Sequence, residues 1–291
     1  MHIFVVHKIN MMRKKALIIA IITLLSASGF CQQKEKIKGD RNVTPRETKV
    51  NSFNSIIIGE NFKVDIIEGN EALVFIEADD NLHDIISFNV VDSTLKFQTL
   101  KKITSSKKIS IKVIYTKTLK NIETLDNGEI SSLTTVSLDE LILKILGSSR
   151  AYLNIKAKKI KLTNGDRARI KLNLTTNLVT LELSENSKLD AIINADSLQI
   201  DMYQSADAKI EGTLNTLNIR TDNSSKFIGK DLAVNNCELL SEGSSTISVH
   251  VIENLCIQAL GSSEISIYNN PKIVINKFID TAKLYKKEMK P

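Results

Sequence analysis

A short phrase of sequence recurs about every 19 residues through the middle of this chain and restricts the folds it can adopt. Each copy has three apolar residues at alternating positions, a tight polar triplet, and then a second alternating apolar set. Alternation with a period of two is typical of β-strands, and an outer period near 20 is typical of a solenoid. The predicted triplets begin at Gly128, Gly147, Asp166, Glu185, Gln204, Asn223, Gly243 and Gly261.

The repeat predicts an all-β fold, a single-stranded, right-handed parallel β-helix (a β-solenoid) with about 19 residues per coil. One unit cannot bury its own apolar face, so neighbouring coils have to stack into a continuous core. Equivalent residues such as Thr124, Leu143 and Leu162 would then lie above one another in an inward column. The right hand is expected because parallel crossovers are overwhelmingly right-handed.

The polar triplets are expected to form the corners of the coils. Glycine supplies a positive φ at no steric cost, and serine, asparagine and aspartate bond their own backbone. A row of hydroxyls along one corner could bind sugar or a cation, whereas the interpretation we favour is a solvated turn. The candidate binding ladder comprises Ser148, Ser149, Ser224, Ser225, Ser244, Ser245, Ser262 and Ser263.

The N-terminal residues 1–31 have the pattern of a signal peptide, which indicates export. Arg13–Lys15 is a basic segment, and the apolar stretch from residue 16 to 25 is too short to span a bilayer. Residues 1–10 precede a natural start at Met11 or Met12. Cys31 leaves two alternatives, lipidation or removal with the signal; Phe30 before it favours removal.

The remaining chain divides into three predicted parts. Residues 32–49 are polar and read as a linker, 50–275 form the solenoid domain with regular coils at 122–270, and 276–291 form a basic tail. Without residues 1–31 the chain has 35 basic and 33 acidic residues, so its charge does not indicate a nucleic-acid partner. Cys237 and Cys256 are 19 residues apart but fall on opposite strand faces, which argues against a disulfide.

Residues 50–275 contain a recognisable opening segment, the Gly-Ser-Ser corners and a closing Tyr-x-x-Pro phrase: Phe53, Phe62–Gly69, Ile76–Leu82, Leu95, Gly261–Ile267, Tyr268 and Pro271. In these features the chain resembles the head GIN domain family of auto-transporter adhesins. The resemblance implies a β-helical exported domain and supplies no catalytic residues. The middle coils depart from the family pattern because Asp166, Glu185, Gln204 and Asn223 stand where it has glycine.

Few residues in the sequence suggest chemistry. His83 lies among Asp79, Asp80 and Asp84, a combination that could be drawn as a metal cluster but lacks the convergent spacing of His and Cys ligands. Glu182 and Asp201 share an outward column, so a two-carboxylate site is geometrically possible. Lys144 and Arg220 share that column too, which favours charge pairing along it. Glu238 falls in another column, and Tyr152, Tyr203 and Tyr268 form no predicted stacking platform.

These observations favour a non-enzymatic exported β-solenoid that acts as an adhesin-like binding or structural module. No cofactor or metal is predicted, and the expected partner is a surface ligand, either protein or glycan. The alternative is a polysaccharide-binding or polysaccharide-active protein. The predicted location is periplasmic, outer-membrane-associated or at the cell surface, and a homo-oligomer is compatible with the flat flanks of a solenoid.

Overall fold

The computed structural model describes residues 34–289, in which almost all regular structure is β-strand. The chain divides into two units, residues 1–36 and 37–291, and the second contains the solenoid. The predicted signal peptide, Cys31 and the alternative start residues lie outside the described residues. No helix in the described part of the chain has the length and apolar character needed to cross a membrane.

The strands fall into an irregular N-terminal group and a regular series of coils. The first group is β1 Lys36–Lys38, β2 Val43–Lys49, β3 Ser55–Ile58, β4 Lys63–Glu68, β5 Leu73–Asp79, β6 Ile86–Val91, β7 Thr94–Thr99, β8 Lys102–Ser105 and β9 Ile109–Tyr115. The second is β10 Asn121–Thr124, β11 Glu129–Ser132, β12 Val136–Ile145, β13 Arg150–Asn164, β14 Arg169–Leu183, β15 Lys188–Met202, β16 Asp207–Thr221, β17 Lys226–Ser241, β18 Thr246–Ala259, β19 Glu264–Tyr268, β20 Lys272–Phe278 and β21 Lys283–Lys286.

Successive coils stack in parallel. In the middle of the solenoid, residues 19 apart pair with each other on neighbouring coils. Ile170 pairs with Leu189 on the next coil, and Leu189 with Ala208 on the one after. Strands β13 to β16 are 15 residues long and each runs across a bend, so one strand supplies both apolar sets predicted for a period. The predicted all-β solenoid of parallel, roughly 19-residue coils is therefore confirmed.

Each corner turns on one residue with a positive φ, and these residues stack along the solenoid. Gly147 has φ 73°, and the next coil has Asp166 at φ 55°. The residue after each corner donates its backbone N–H to the corner carbonyl of the preceding coil, as Arg167 does to Gly147 at 2.8 Å. The corner residues are Glu60, Asp126, Gly147, Asp166, Glu185, Gln204, Asn223, Gly243, Gly261 and Asp280.

Many of these corners use a side chain where glycine would be expected. The left-handed conformation is tolerated by Asn and Asp because their short polar side chains can bond nearby backbone. Here the bond reaches the neighbouring coil: Asp166 Oδ2 accepts the backbone N–H of Gly147 at 2.6 Å, and Asp280 Oδ2 accepts that of Gly261 at 2.9 Å. The side chain thus satisfies a corner donor that has no other strand partner.

The prediction that the first triplet begins at Gly128 is wrong. Asp126 has the positive φ of 54°, and the Cβ of an alanine at position 147 would lie 2.7 Å from Asp126 N, so residues 126 and 147 are stacked. Gly128 is the third residue of that triplet. Consequently Thr124 faces Ile145, and Ile122 occupies the column of Leu143.

The N-terminal third begins the solenoid and covers its first coil, as predicted. Strands β3 and β4 pair in parallel with β10 and β11 across an offset of 66 residues. On the opposite side β4 pairs with β9, which continues through antiparallel β5 to β2. Residues 43–49, assigned to a linker from their polarity, therefore form the outer strand of this cover.

The C-terminal segment assigned to a basic tail contains most of a further coil. Strand β20 pairs with β18, and β21 pairs with β19, both in parallel. The predicted end of the domain at residue 275 lies inside β20. The apolar alternation of this segment is short and the segment contains several lysines. For these reasons the sequence period did not predict this coil.

The core is the stack of inward columns, and it includes one of the cysteines. Cys237 is 2% exposed and faces Leu255, whereas Cys256 faces Glu238 and is half-buried. Both thiols are free, so the prediction that they are not joined is confirmed. Burial raises the pKa of the Cys237 thiol, which therefore behaves as a small apolar side chain.

Candidate functional site

The predicted serine ladder is divided between surface and interior. Ser148 is half-buried, and Ser224, Ser244 and Ser262 are exposed. The third residue of each triplet points inward, which places four candidates beyond the reach of a ligand: Ser149, Ser225, Ser245 and Ser263. The expectation of a wholly solvated corner is therefore wrong for these four residues.

Two of the inward serines complete the turn, whereas the buried Oγ atoms of Ser225 and Ser263 have no hydrogen-bond partner within the described residues. Ser149 Oγ donates to Leu146 O at 2.6 Å and lies 2.8 Å from Thr124 Oγ1. Ser245 Oγ makes the corresponding bond to Glu242 O at 2.8 Å. A hydroxyl that reaches back three residues closes the corner from inside, so the third position favours a small side chain for structural reasons.

The side chains considered as a metal cluster bond to other residues rather than to one another, and Asp80 and His83 share Thr44. His83 is 6% exposed, and its Nε2 lies 2.9 Å from Thr44 O. Asp84 pairs with Arg46 Nη1 at 2.9 Å. Across the described residues, no group of three or more His, Cys, Asp or Glu side chains is arranged to hold a metal ion.

Asp79 serves as a buried anchor for the N-terminal cover. Its carboxylate is fully buried and accepts backbone N–H groups from Lys107 at 3.0 Å, Lys108 at 3.1 Å and Arg41 at 3.2 Å. Burial raises the pKa of this carboxyl, but the hydrogen bonds from these backbone groups outweigh it and hold the pKa below its ordinary value. Gly39 makes room, because a Cβ there would lie 2.0 Å from Asp79 Oδ2.

Asp79→Asn should lower the thermal midpoint at pH 7 and flatten its pH dependence. A carboxyl with a depressed folded pKa stabilises the fold fully above its unfolded pKa of about 4, and this contribution is lost as pH falls through the folded pKa. Thermal melts from pH 7 to pH 2 measure this. Below about pH 4 the thermal midpoint of the wild type should fall more than that of the variant. The control Asp92→Asn, in an exposed turn, should follow the wild type. If the thermal midpoints of Asp79→Asn and the wild type changed in parallel with pH, the lowered pKa assigned to Asp79 would be contradicted.

The predicted carboxylate pair is present, but its surroundings differ from expectation. Glu182 and Asp201 face each other in register on adjacent coils. The cations of the same column pair elsewhere: Arg220 Nη2 lies 3.2 Å from Glu242 Oε2, and Lys144 Nζ lies 3.2 Å from Glu123 Oε1. Charge pairing therefore occurs along the solenoid, though not with these two acids.

A groove of about 600 Å³ lies on one flank of the solenoid. Its floor consists of two outward columns that cross four coils. One column runs Tyr152, Lys171, Asp190, Lys209, and the other runs Asn154, Asn173, Ile192, Glu211. We call this surface the flank groove.

Charges balance within the flank groove. Its lining carries two lysines and two carboxylates, and Lys209 Nζ lies 2.6 Å from Glu211 Oε1. That hydrogen bond raises the pKa of Lys209 and lowers the pKa of Glu211. A general acid needs a raised carboxyl pKa, so Glu211 is unsuited to that role. The groove offers amides, a tyrosine and paired charges, which suit hydrogen bonding to an extended ligand.

Sequence reasoning missed the flank groove although it identified its residues as outward. Tyr152 is 39% exposed and Ile192 is 47% exposed, which gives the groove an apolar component. Tyr203 and Tyr268 lie outside its lining, so the expectation of no stacked aromatic platform is unchanged. The sequence feature that could have indicated the groove is the pair Asn154 and Asn173, whose amides occupy equivalent outward positions on adjacent coils.

Known proteins resemble this chain in sequence pattern and in fold. Residues 52–192 and 159–271 match the family model described as "Putative auto-transporter adhesin, head GIN domain". No curated protein matches the chain at a significant level.

Solved structures from Parabacteroides share the fold. A "putative adhesin" from Parabacteroides merdae is 16% identical, with TM-score 0.63 over 87% of this chain and 99% of its own. A "putative adhesin" from Parabacteroides distasonis is 17% identical, with TM-score 0.61 over 88% of this chain and 100% of its own. A "putative lipid binding protein" from the same species is 17% identical, with TM-score 0.60 over 88% and 100%.

Proposed function

The chain belongs to the head GIN domain family, and on that premise we propose that it is an exported, non-enzymatic, adhesin-like binding module whose ligand lies in the flank groove. The observation that carries the proposal is the groove itself, in which two outward columns present side chains over four consecutive coils. Coils spaced by about 4.8 Å form a regular array suited to a chain-like ligand.

A neutral, hydroxyl-rich ligand such as a surface glycan fits the groove better than a polyanion. The two lysines are balanced by Asp190 and Glu211, so no net positive field attracts an anionic chain. Asn154 and Asn173 each offer a donor and an acceptor, and the exposed ring of Tyr152 supplies an apolar face. A protein ligand is the competing class of partner.

Export supports an adhesin-like role, and the signal-peptide pattern of residues 1–31 is the basis for it. We place the mature chain in the periplasm, at the outer membrane or on the cell surface. Retention of Cys31 as a lipidated residue would select outer-membrane association, and fatty-acid labelling of the expressed protein distinguishes the alternatives.

The test is binding of the purified chain 32–291 to a glycan array and to intact cells. Asn173→Ala should weaken binding about tenfold, because the loss of a hydrogen-bonding amide costs roughly 1 kcal/mol or more. Asn186→Ala, an exposed asparagine at a corner outside the groove, is the matched control and should bind as the wild type does. Equal binding by both variants would overturn the groove as the site.

Catalysis is tested on the same preparation. Glu182 and Asp201 are the observation that favours a polysaccharide-active enzyme, since they face each other on adjacent coils. We expect no turnover of neutral or acidic polysaccharides. Turnover that is lost in both Glu182→Gln and Asp201→Asn would establish the enzymatic alternative.

A further inference from the structure

The last coil of the described residues leaves the end of the core uncovered. Ile273 and Ile275 lie in register with the buried residues Leu255 and Ile257, and therefore continue two inward columns. Leu255 is 1% exposed and Ile257 0%, whereas Ile273 is 42% and Ile275 48% exposed. All seven residues of β20 are exposed. Within the described residues, no side chain covers the last layer of the core.

The backbone of this end is open as well. In a parallel ladder, alternate residues direct their N–H and C=O groups to opposite neighbours. Strand β20 pairs with β18, and β21 pairs with β19, but no strand of the described chain pairs with their other edges. Alternate backbone groups of both strands therefore present donors and acceptors to solvent, and a further strand can pair with them.

The opposite end of the molecule has features that hinder the addition of a further strand. The outer strand of the N-terminal cover, β2, contains Pro45, which cannot donate to a further strand. Ion pairs flank it, with Arg46 Nη1 2.9 Å from Asp84 Oδ1 and Lys49 Nζ 2.7 Å from Glu71 Oε2. The two ends thus differ: the outer strand β2 carries features that oppose pairing, whereas β20 combines an unpaired edge with exposed core columns.

Charge determines which partner suits the open end. Lys272 and Lys277 lie on β20, and neither has an ion pair within the described residues. A second copy of this chain would bring the same lysines to the interface, where like charges oppose pairing. A lipid surface would leave the backbone donors and acceptors of the edge without partners. A strand with acidic side chains can pair its carboxylates with the two lysines and its backbone with the open edge of β20.

We propose that the C-terminal end, formed by β20 and β21, is a docking site for an acidic, strand-forming segment of a partner protein. The segment adds to β20 as a further strand, with main-chain hydrogen bonds supplying affinity. Its apolar side chains cover Ile273 and Ile275, and its carboxylates face Lys272 and Lys277. This surface is separate from the flank groove, so it goes beyond the proposed function and is tested independently of it.

The probe is an N-acetylated, C-amidated heptapeptide that alternates glutamate and isoleucine, measured by fluorescence anisotropy against the chain 32–291. A peptide that alternates lysine and isoleucine is its charge-reversed counterpart. We expect the acidic peptide to bind about tenfold more tightly than the basic one, from two ion pairs gained against two repulsions. Hydrogen exchange should show new protection at residues 272–278.

Charge reversal of the edge is the decisive variant. The double variant Lys272→Glu, Lys277→Glu should invert the preference and bind the basic peptide, a result that unfolding cannot produce. Lys156→Glu, Lys161→Glu changes the net charge equally at exposed mid-solenoid positions and should keep the wild-type preference. Four outcomes would overturn the proposal: no binding of either peptide, the same inversion in this control, a dimer formed through β20, or binding to anionic phospholipid vesicles without peptide binding.

Discussion

Replacement of Gly212 by alanine is expected to lower the free energy of unfolding by roughly 3 kcal/mol or more. Gly212 has φ 121°, a conformation that is essentially restricted to glycine. A Cβ at this position would lie 2.2 Å from Ile193 O and 2.9 Å from Ile193 C. Both contacts are to the backbone of the preceding coil, which cannot move without breaking its own ladder.

Chemical denaturation followed by circular dichroism measures this effect, with Gly165→Ala as the matched control. A methyl group at Gly165 would meet Leu146 Cδ2 at 3.0 Å and Ser184 Oγ at 3.4 Å, and side-chain atoms can shift by the few tenths of an ångström required. The control should therefore change stability by no more than about 1 kcal/mol. Equal effects of the two substitutions would show that the backbone at Gly212 can relax.

The irregularity at Gly212 also shows how far the sequence determines register. The triplet spacings of 20 and 18 around Gly243 indicate an extra residue in one coil and one fewer in the next. The structure places the extra residue of β17 opposite the segment between Lys209 and Gly212. Spacing reveals that a bulge exists, whereas its position depends on which backbone can yield locally.

The inward columns were predictable because their pattern is physical and local. Leu143, Leu162 and Leu181 were expected to stack, and each is at most 1% exposed. The first coil was not predictable in register, because 66 residues separate β3 from its neighbour β10 and the period is lost between them. Similarly, Gly128 resembled a corner by identity, but the positive φ falls on Asp126.

The candidate sites were predictable only in part. Alternation correctly assigned Lys171 and Asn173 to the outside, but a groove depends on how the sheet curves across coils, which no single period encodes. The serine ladder shows the opposite case, in which polarity suggested exposure. Ser149 and Ser245 lie inside, where their hydroxyls bond a carbonyl three residues back. A small polar residue that satisfies its own turn can be buried at little cost.

The central core should be almost as sensitive as Gly212. Leu181→Ala is expected to lower the free energy of unfolding by about 2–5 kcal/mol, the range for deletion of a buried leucine side chain. Leu181 is fully buried and lies between Leu162 and Ile200 in its column. Both neighbours are held by continuous strands, so the space left by the side chain cannot close. Equilibrium denaturation in urea measures the loss.

The region that Leu181→Ala destabilises distinguishes a solenoid from a globular protein with a single core. Because each coil contacts only its neighbours, a cavity at residue 181 should weaken the two adjacent coil interfaces most. Hydrogen exchange in Leu181→Ala should therefore accelerate in β13, β14 and β15 more than in β18. Glu182→Ala, at the exposed neighbouring position, should stay within about 0.5 kcal/mol of the wild type. Uniform acceleration along the chain would instead show that the solenoid unfolds as one cooperative unit.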